Sequence, residues 1–113
     1  MEVLQEVAAE LRNAERARER GKEGQARVCA RRAAGLAARR YLVQRGNPPR
    51  TSNAYDLLRL LADDPRLSPE LKERAAHLTL RVDEEFKLPS GIDLIAEARQ
   101  LCGSLLGQDP GSE

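Results

Sequence analysis

The sequence has few aromatic, imidazole and thiol side chains. It contains no Trp, one Phe, two Tyr, one His and two Cys. Cys29 and Cys102 are too few for a zinc site or a disulfide framework, and each falls in a helical pattern where a small buried thiol is expected. A Gly-rich phosphate loop and a Ser/His/Asp arrangement are also missing. We therefore expect no cofactor, no metal and no covalent nucleophile.

Long hydrophobic runs are absent as well. No run approaches the roughly 20 apolar residues of a membrane-spanning helix. The first residues, MEVLQEVAAELR, are charged and periodic, unlike a signal or transit peptide. We therefore expect a cytoplasmic protein that is not membrane-bound. The length of 113 residues predicts one domain over 1–106, followed by a disordered tail over 107–113.

Period-two alternation is missing too, so the sequence predicts no sheet. Apolar residues instead recur at three- and four-residue steps, as in amphipathic helices. Gly21, Gly24 and the stretch Gly46-Asn47-Pro48-Pro49 separate these segments. Long helices are predicted over about 2–20, 26–45, 69–84 and 91–106, with a short one over 53–63. The predicted fold is all-α: an antiparallel, up-and-down four-helix bundle with an additional short helix.

Capping residues indicate where three of these helices begin. Thr51, Ser52 and Asn53 are all competent N-caps for the short helix. Ser68-Pro69 combines a cap with proline at the first helical position of the next helix. Ser90-Gly91-Ile92-Asp93 approximates a capping box for the last helix.

The second helix, ARVCARRAAGLAARRYLVQRG, is the centre of the prediction. Its small residues share one side, which allows close packing against neighbouring helices: Ala26, Ala30, Ala33, Ala34, Ala37, Ala38 and Tyr41. Its arginines are expected on the remaining, exposed surface: Arg27, Arg31, Arg32, Arg39 and Arg40.

Charge is unevenly distributed along the chain. Residues 24–55 contain seven Arg and no acidic residue, whereas residues 56–113 contain twelve acids and seven bases. Arginine suits planar contacts with phosphate or carboxylate. Two interpretations stay open. The arginines either pair with acids of neighbouring helices, such as Glu6, Glu10, Asp83 and Glu84, or form a surface that binds an acidic partner.

His77 is the one candidate for acid–base chemistry. A histidine near arginines can act as a general acid or base in RNA cleavage. Arg74 and Arg81 share its helical face, at i−3 and i+4. The same spacing also fits a partly exposed surface histidine without a catalytic role.

Three short sequence segments in the middle of the chain occur in an order typical of one protein family. They are Arg40-Tyr41-Leu42-Val43-Gln44-Arg45-Gly46, then Arg50-Thr51-Ser52-Asn53, then Asp56-Leu57-Leu58-Arg59-Leu60-Leu61. The order resembles HEPN domains (higher eukaryotes and prokaryotes nucleotide-binding), and the likeness extends as a pattern over roughly 2–106. The segment 78–83 falls where many HEPN members carry an Arg-Tyr-Pro phrase.

The resemblance implies a dimeric helical bundle. It also implies a role in a toxin–antitoxin system, in RNA cleavage, or beside a nucleotidyltransferase. Ribonuclease members carry Arg, then four to six residues, then His. Here Arg74 stands three residues before His77 and Arg66 stands eleven before it, so the catalytic pair is not carried over. The implied nucleotide or RNA surface comprises Arg31, Arg32, Arg39, Arg40, Arg50 and Arg81.

Three hypotheses follow from the sequence. The leading one is a non-catalytic HEPN-like module that binds a nucleotide, RNA or an acidic protein through the second helix. The second is a metal-independent ribonuclease that uses His77 with Arg74 or Arg81. The third is a structural homodimeric adaptor. The partners expected for the leading hypothesis include an antitoxin or a nucleotidyltransferase, and the chain is expected to form a homodimer.

Overall fold

The computed structural model describes residues 3–80 and 92–107. Within these ranges the chain forms five helices and no strand, which confirms the predicted all-α class. The helices are α1 (Val3–Glu19), α2 (Glu23–Gln44), α3 (Ala54–Ala62), α4 (Pro69–Leu78) and α5 (Leu94–Leu106). None of these described helices has the length and apolarity needed to cross a bilayer.

Helix α2 lies at the centre of the molecule, because it contacts each of the other four helices. All the small residues predicted on its packing side are buried, from Ala26 to Tyr41. Gly35 marks the closest approach: a methyl group placed on it would lie 3.0 Å from Cβ and 3.1 Å from Cα of Ala54. Small side chains on α2 therefore let the backbone of α3 come within contact distance.

The other helices each contribute one apolar stripe to a common core. Both cysteines are buried in it, as predicted. Burial raises the pKa of the Cys29 thiol and raises that of Cys102 to about 12. Leu60 on α3 is 43% exposed, because α3 buries only the stripe formed by Leu57, Leu58 and Leu61.

Glycine ends α1 and α2 in the same way. Gly21 and Gly46 have φ values of 75° and 78°, a conformation that favours glycine. After α1, the Lys22 N–H donates to Ala17 O at 2.8 Å, and after α2 the Asn47 N–H donates to Leu42 O at 3.0 Å. These six-to-one bonds satisfy carbonyls that the helices leave open. Both predicted stops are confirmed.

Two predicted helix boundaries are wrong. Helix α4 was predicted to reach residue 84, but it ends at Leu78, where Thr79 folds back and its hydroxyl donates to Ala76 O. Helix α5 was predicted to be capped by Ser90, but its cap is Asp93, which accepts the N–H groups of Ile95 and Ala96. Ser90 and residues 108–113 of the predicted tail lie outside the described residues, while Gly107 ends α5.

Candidate anion-binding groove

Arg31 was predicted on the exposed face of α2, and that prediction is wrong. The residue is 9% exposed, and its Nε and Nη2 donate to Leu78 O and Leu80 O at 2.9 and 3.2 Å. Its guanidinium lies 5.1 Å from the ring centre of Tyr55. The Leu78 and Leu80 carbonyls lie at the end of α4, where a positive charge is favourable. Arg31 therefore joins α2, α3 and α4.

A groove opens on the surface above Arg31, between α2 and the start of α3. We call it the Tyr55 groove. Its volume is about 410 Å³. Residues from three helices and one loop line it: Glu10, Val28, Arg31, Arg32, Gly35, Leu36, Arg39, Ser52, Asn53, Ala54, Tyr55 and Leu57. Arg31 and the tight α2–α3 crossing at Gly35 fix the position of the Tyr55 ring at this groove.

Arg32 and Arg39 are the exposed cations of the Tyr55 groove. They are seven residues apart, so both lie on one face of α2, about 10 Å apart along its axis. Among the described residues neither forms a salt bridge, and neither do Glu6 and Glu10, two of the acids considered as their partners; the other two, Asp83 and Glu84, lie outside the described residues. The groove therefore presents two guanidinium groups toward solvent.

Arg40 and Arg50 do not line this groove. Arg40 is exposed on α2 outside it. Arg50 lies beside a separate depression of about 620 Å³, which Asp56 and Arg59 also line. Arg81 lies outside the described residues. Of the six arginines predicted as one surface, the structure thus places Arg31, Arg32 and Arg39 together.

His77 and Arg74 converge on one carboxylate of α5. Arg74 Nη1 donates to Glu97 Oε2 at 2.5 Å, and His77 Nδ1 pairs with Glu97 Oε1. The Glu97 side chain is only 12% exposed. Arg74 Nη2 also donates to Glu70, at 3.4 Å, and His77 Nε2 lies 3.7 Å from a carboxylate oxygen of Glu73. These contacts tie α4 to α5, and they occupy the Arg74 guanidinium with carboxylates.

The sequence did not single out two elements of the groove. Tyr55 is one of two tyrosines in the chain, and Asn53 is predicted as a helix cap within one of the HEPN-like segments, but the sequence predicts neither as a binding residue. The signal for Tyr55 was its position two residues after the cap, at the start of a helix that must cross α2 near Gly35. Its pairing with Arg31 could not be found without the crossing geometry.

Comparison with known proteins gives no relative for this chain: no protein-family model, curated protein or solved structure matches it.

Proposed function

We propose that this chain is a non-catalytic, HEPN-like helical module that binds a nucleotide in the Tyr55 groove. Arg32 and Arg39 would contact phosphate, and the Tyr55 ring would contact the base. One observation carries the proposal. Two exposed guanidinium groups, without a salt bridge among the described residues, lie beside an aromatic ring in one groove.

The size and chemistry of the groove support a nucleotide. Its volume of about 410 Å³ falls within the roughly 300–1,000 Å³ of small-molecule sites. Guanidinium groups bind phosphate in a bidentate manner, and aromatic rings stack on bases. An acidic protein partner would use the same arginines but would not require the ring.

The proposal extends to architecture and setting. The HEPN-like arrangement is an antiparallel, up-and-down bundle of α1, α2, α4 and α5, with α3 as the additional short helix. The module would act in the cytoplasm as a homodimer, with an antitoxin or nucleotidyltransferase partner. Analytical ultracentrifugation tests the dimer: a species of twice 12.5 kDa is expected, and a single 12.5 kDa species at all concentrations would contradict it.

Binding of a fluorescent ATP analogue at low salt tests the groove. We expect Arg32→Gln and Arg39→Gln each to weaken binding about tenfold, since a hydrogen bond to a charged group contributes about 1.5–3 kcal/mol. Arg40→Gln is the matched control, because it removes the same charge from the same helix outside the groove. Absence of binding, or an equal loss with Arg40→Gln, would refute the proposal.

A further inference from the structure

A second groove lies between α1 and α2, and its lining is more basic than that of the Tyr55 groove. We call it the Arg20 groove. Its volume is about 400 Å³. Its lining contains four cationic side chains and one carboxylate, with two amides between them: Arg16, Arg20, Lys22 and Arg32, then Glu10, then Asn13 and Gln25.

The turn between α1 and α2 brings these cations together. Arg16 and Arg20 are four residues apart and so lie on one face at the end of α1. The glycine turn at Gly21 then places Lys22 at the cap position of α2, beside them. All three side chains are exposed. In the part of the chain that the structure describes, none of them forms a salt bridge.

Three acids near this corner are engaged elsewhere, and Glu19, which is exposed, does not line the groove. Glu23 and Asp93 both accept hydrogen bonds from Arg18, at 2.7 and 3.0 Å. Glu15 accepts one from Arg99 at 2.9 Å. Glu10 alone lines the Arg20 groove as a carboxylate, so the cations outnumber it by four to one. The groove therefore carries a local positive charge although the net charge of the chain is only +1.

The two grooves are adjacent. Arg32 and Glu10 line both of them. A ligand that begins on Arg16 and Arg20 can therefore pass Arg32 and reach Arg39 and the Tyr55 ring. Five exposed cations spread over two grooves, with a carboxylate between them, match a ligand whose negative charges are also spread along its length. A mononucleotide, whose charges are clustered on one phosphate chain, fills only one of the grooves.

We propose that the ligand is a single strand of nucleic acid, with its phosphates along the Arg20 groove and a base at Tyr55. This inference rests on the proposed function and extends it from a nucleotide to a polymer. Single-strand binding sites combine basic side chains, such as arginine guanidinium groups, that bind the phosphates with aromatic rings that stack on the bases. Such contacts are insensitive to sequence and weaken with salt.

Oligouridylates of about 4 to about 16 nucleotides, the range of known single-strand site sizes, provide the test. We expect affinity, measured by fluorescence anisotropy, to rise with length until both grooves are filled. In the double variant Arg16→Gln/Arg20→Gln, binding of the longest oligomer should fall at least tenfold, and the slope of log K against log salt should decrease by about 1.4, because each phosphate contact contributes about 0.7. Binding of the ATP analogue should stay within about twofold, because neither residue lines the Tyr55 groove.

The matched control is Arg12→Gln/Arg40→Gln, which removes two exposed charges from the same two helices outside both grooves. An equal loss in this control, or oligomers that bind no tighter than the ATP analogue, would overturn the inference and leave the nucleotide proposal standing. If neither oligomer nor analogue binds, both proposals fail. Displacement of the oligomer by poly-glutamate at equal charge concentration would show an acidic-protein site and would also overturn the inference.

Discussion

At the residue scale, Arg31 and Arg32 are neighbours in sequence with different roles. Arg31 has its guanidinium between Tyr55 and the carbonyls that end α4, whereas Arg32 is exposed. We expect Arg31→Lys to lower the free energy of unfolding by about 2 kcal/mol, because an ammonium cannot reach both carbonyls and also lie over the ring. Urea denaturation of Arg32→Lys supplies the control, with a change within about 0.5 kcal/mol. Similar losses in the two variants would contradict this role for Arg31.

Glu10 is the carboxylate that both grooves share. Its negative charge opposes any phosphate there, so Glu10→Gln is expected to tighten oligouridylate binding about threefold to tenfold at low salt, an effect that salt should reduce. Glu19→Gln is the control, because Glu19 is exposed on α1 outside both grooves. Unchanged affinity in Glu10→Gln would show that the ligand does not cross the junction of the grooves.

At the scale of elements, the α2–α3 crossing depends on Gly35. Gly→Ala within a helix normally stabilises it by about 1 kcal/mol. At Gly35, however, the added methyl group would meet the Ala54 backbone at 3.1 Å, so we expect a net loss of about 1–2 kcal/mol. Gly24, in the same helix, has no atom within 4 Å of the place where a methyl group would lie, and Gly24→Ala should be stabilising. Thermal unfolding should show a lower Tm for Gly35→Ala and a higher Tm for Gly24→Ala. A change of Tm in the same direction for both variants would contradict the close contact at the crossing.

The start of α5 should depend on pH. Burial alone would raise the pKa of Asp93, but the Ala96 N–H, the Arg18 guanidinium and the Ile95 N–H together hold that pKa below its ordinary 3.8. The charged cap therefore stabilises the fold above pH 3.8 and loses this contribution as pH falls below it. Asp93→Ala is expected to cost about 1 kcal/mol at neutral pH and less in acid.

Asn53 is the neutral counterpart of Asp93, since it caps α3 through the Asp56 N–H at 3.2 Å. Asn53→Ala should cost a similar amount, but the cost should not change across the same acidic range. Urea denaturation at a series of pH values measures both. A cost for Asp93→Ala that stays constant down to about pH 2 would contradict the assigned role of its charge.

At the scale of the whole molecule, both thiols report on global unfolding. Cys29 and Cys102 belong to the same core, and burial raises the pKa of each. Because the thiolate is the reactive form, alkylation of the native protein should be slow at neutral pH, and both cysteines should react at one common rate that rises with urea. Mass spectrometry of the alkylated peptides measures this. Rapid labelling of Cys29 alone would contradict this prediction and indicate that the reagent reaches its thiol from the Arg20 groove, which Cys29 lines.

Features that depend on residues close together in the chain are predictable from the sequence, whereas features that depend on distant residues are not. The stops at Gly21 and Gly46 and the start at Ser68 depend on neighbouring residues, so the sequence predicted them correctly. Helix α4 ends at Leu78, whose carbonyl accepts a hydrogen bond from Arg31, 47 residues earlier in the chain. Periodicity could not separate Arg31 from Arg32, because that difference arises from where α3 and α4 lie.

The central position of α2 limits how this protein can change in evolution. Because α2 contacts the other four helices, replacing any of its buried alanines with a larger residue would disturb the packing of at least one of them. Saturation mutagenesis should therefore show that the buried side of α2 tolerates few substitutions and that its exposed side tolerates many. Related sequences would differ mainly on the exposed side, so selection for a new ligand could change that side without changing the fold.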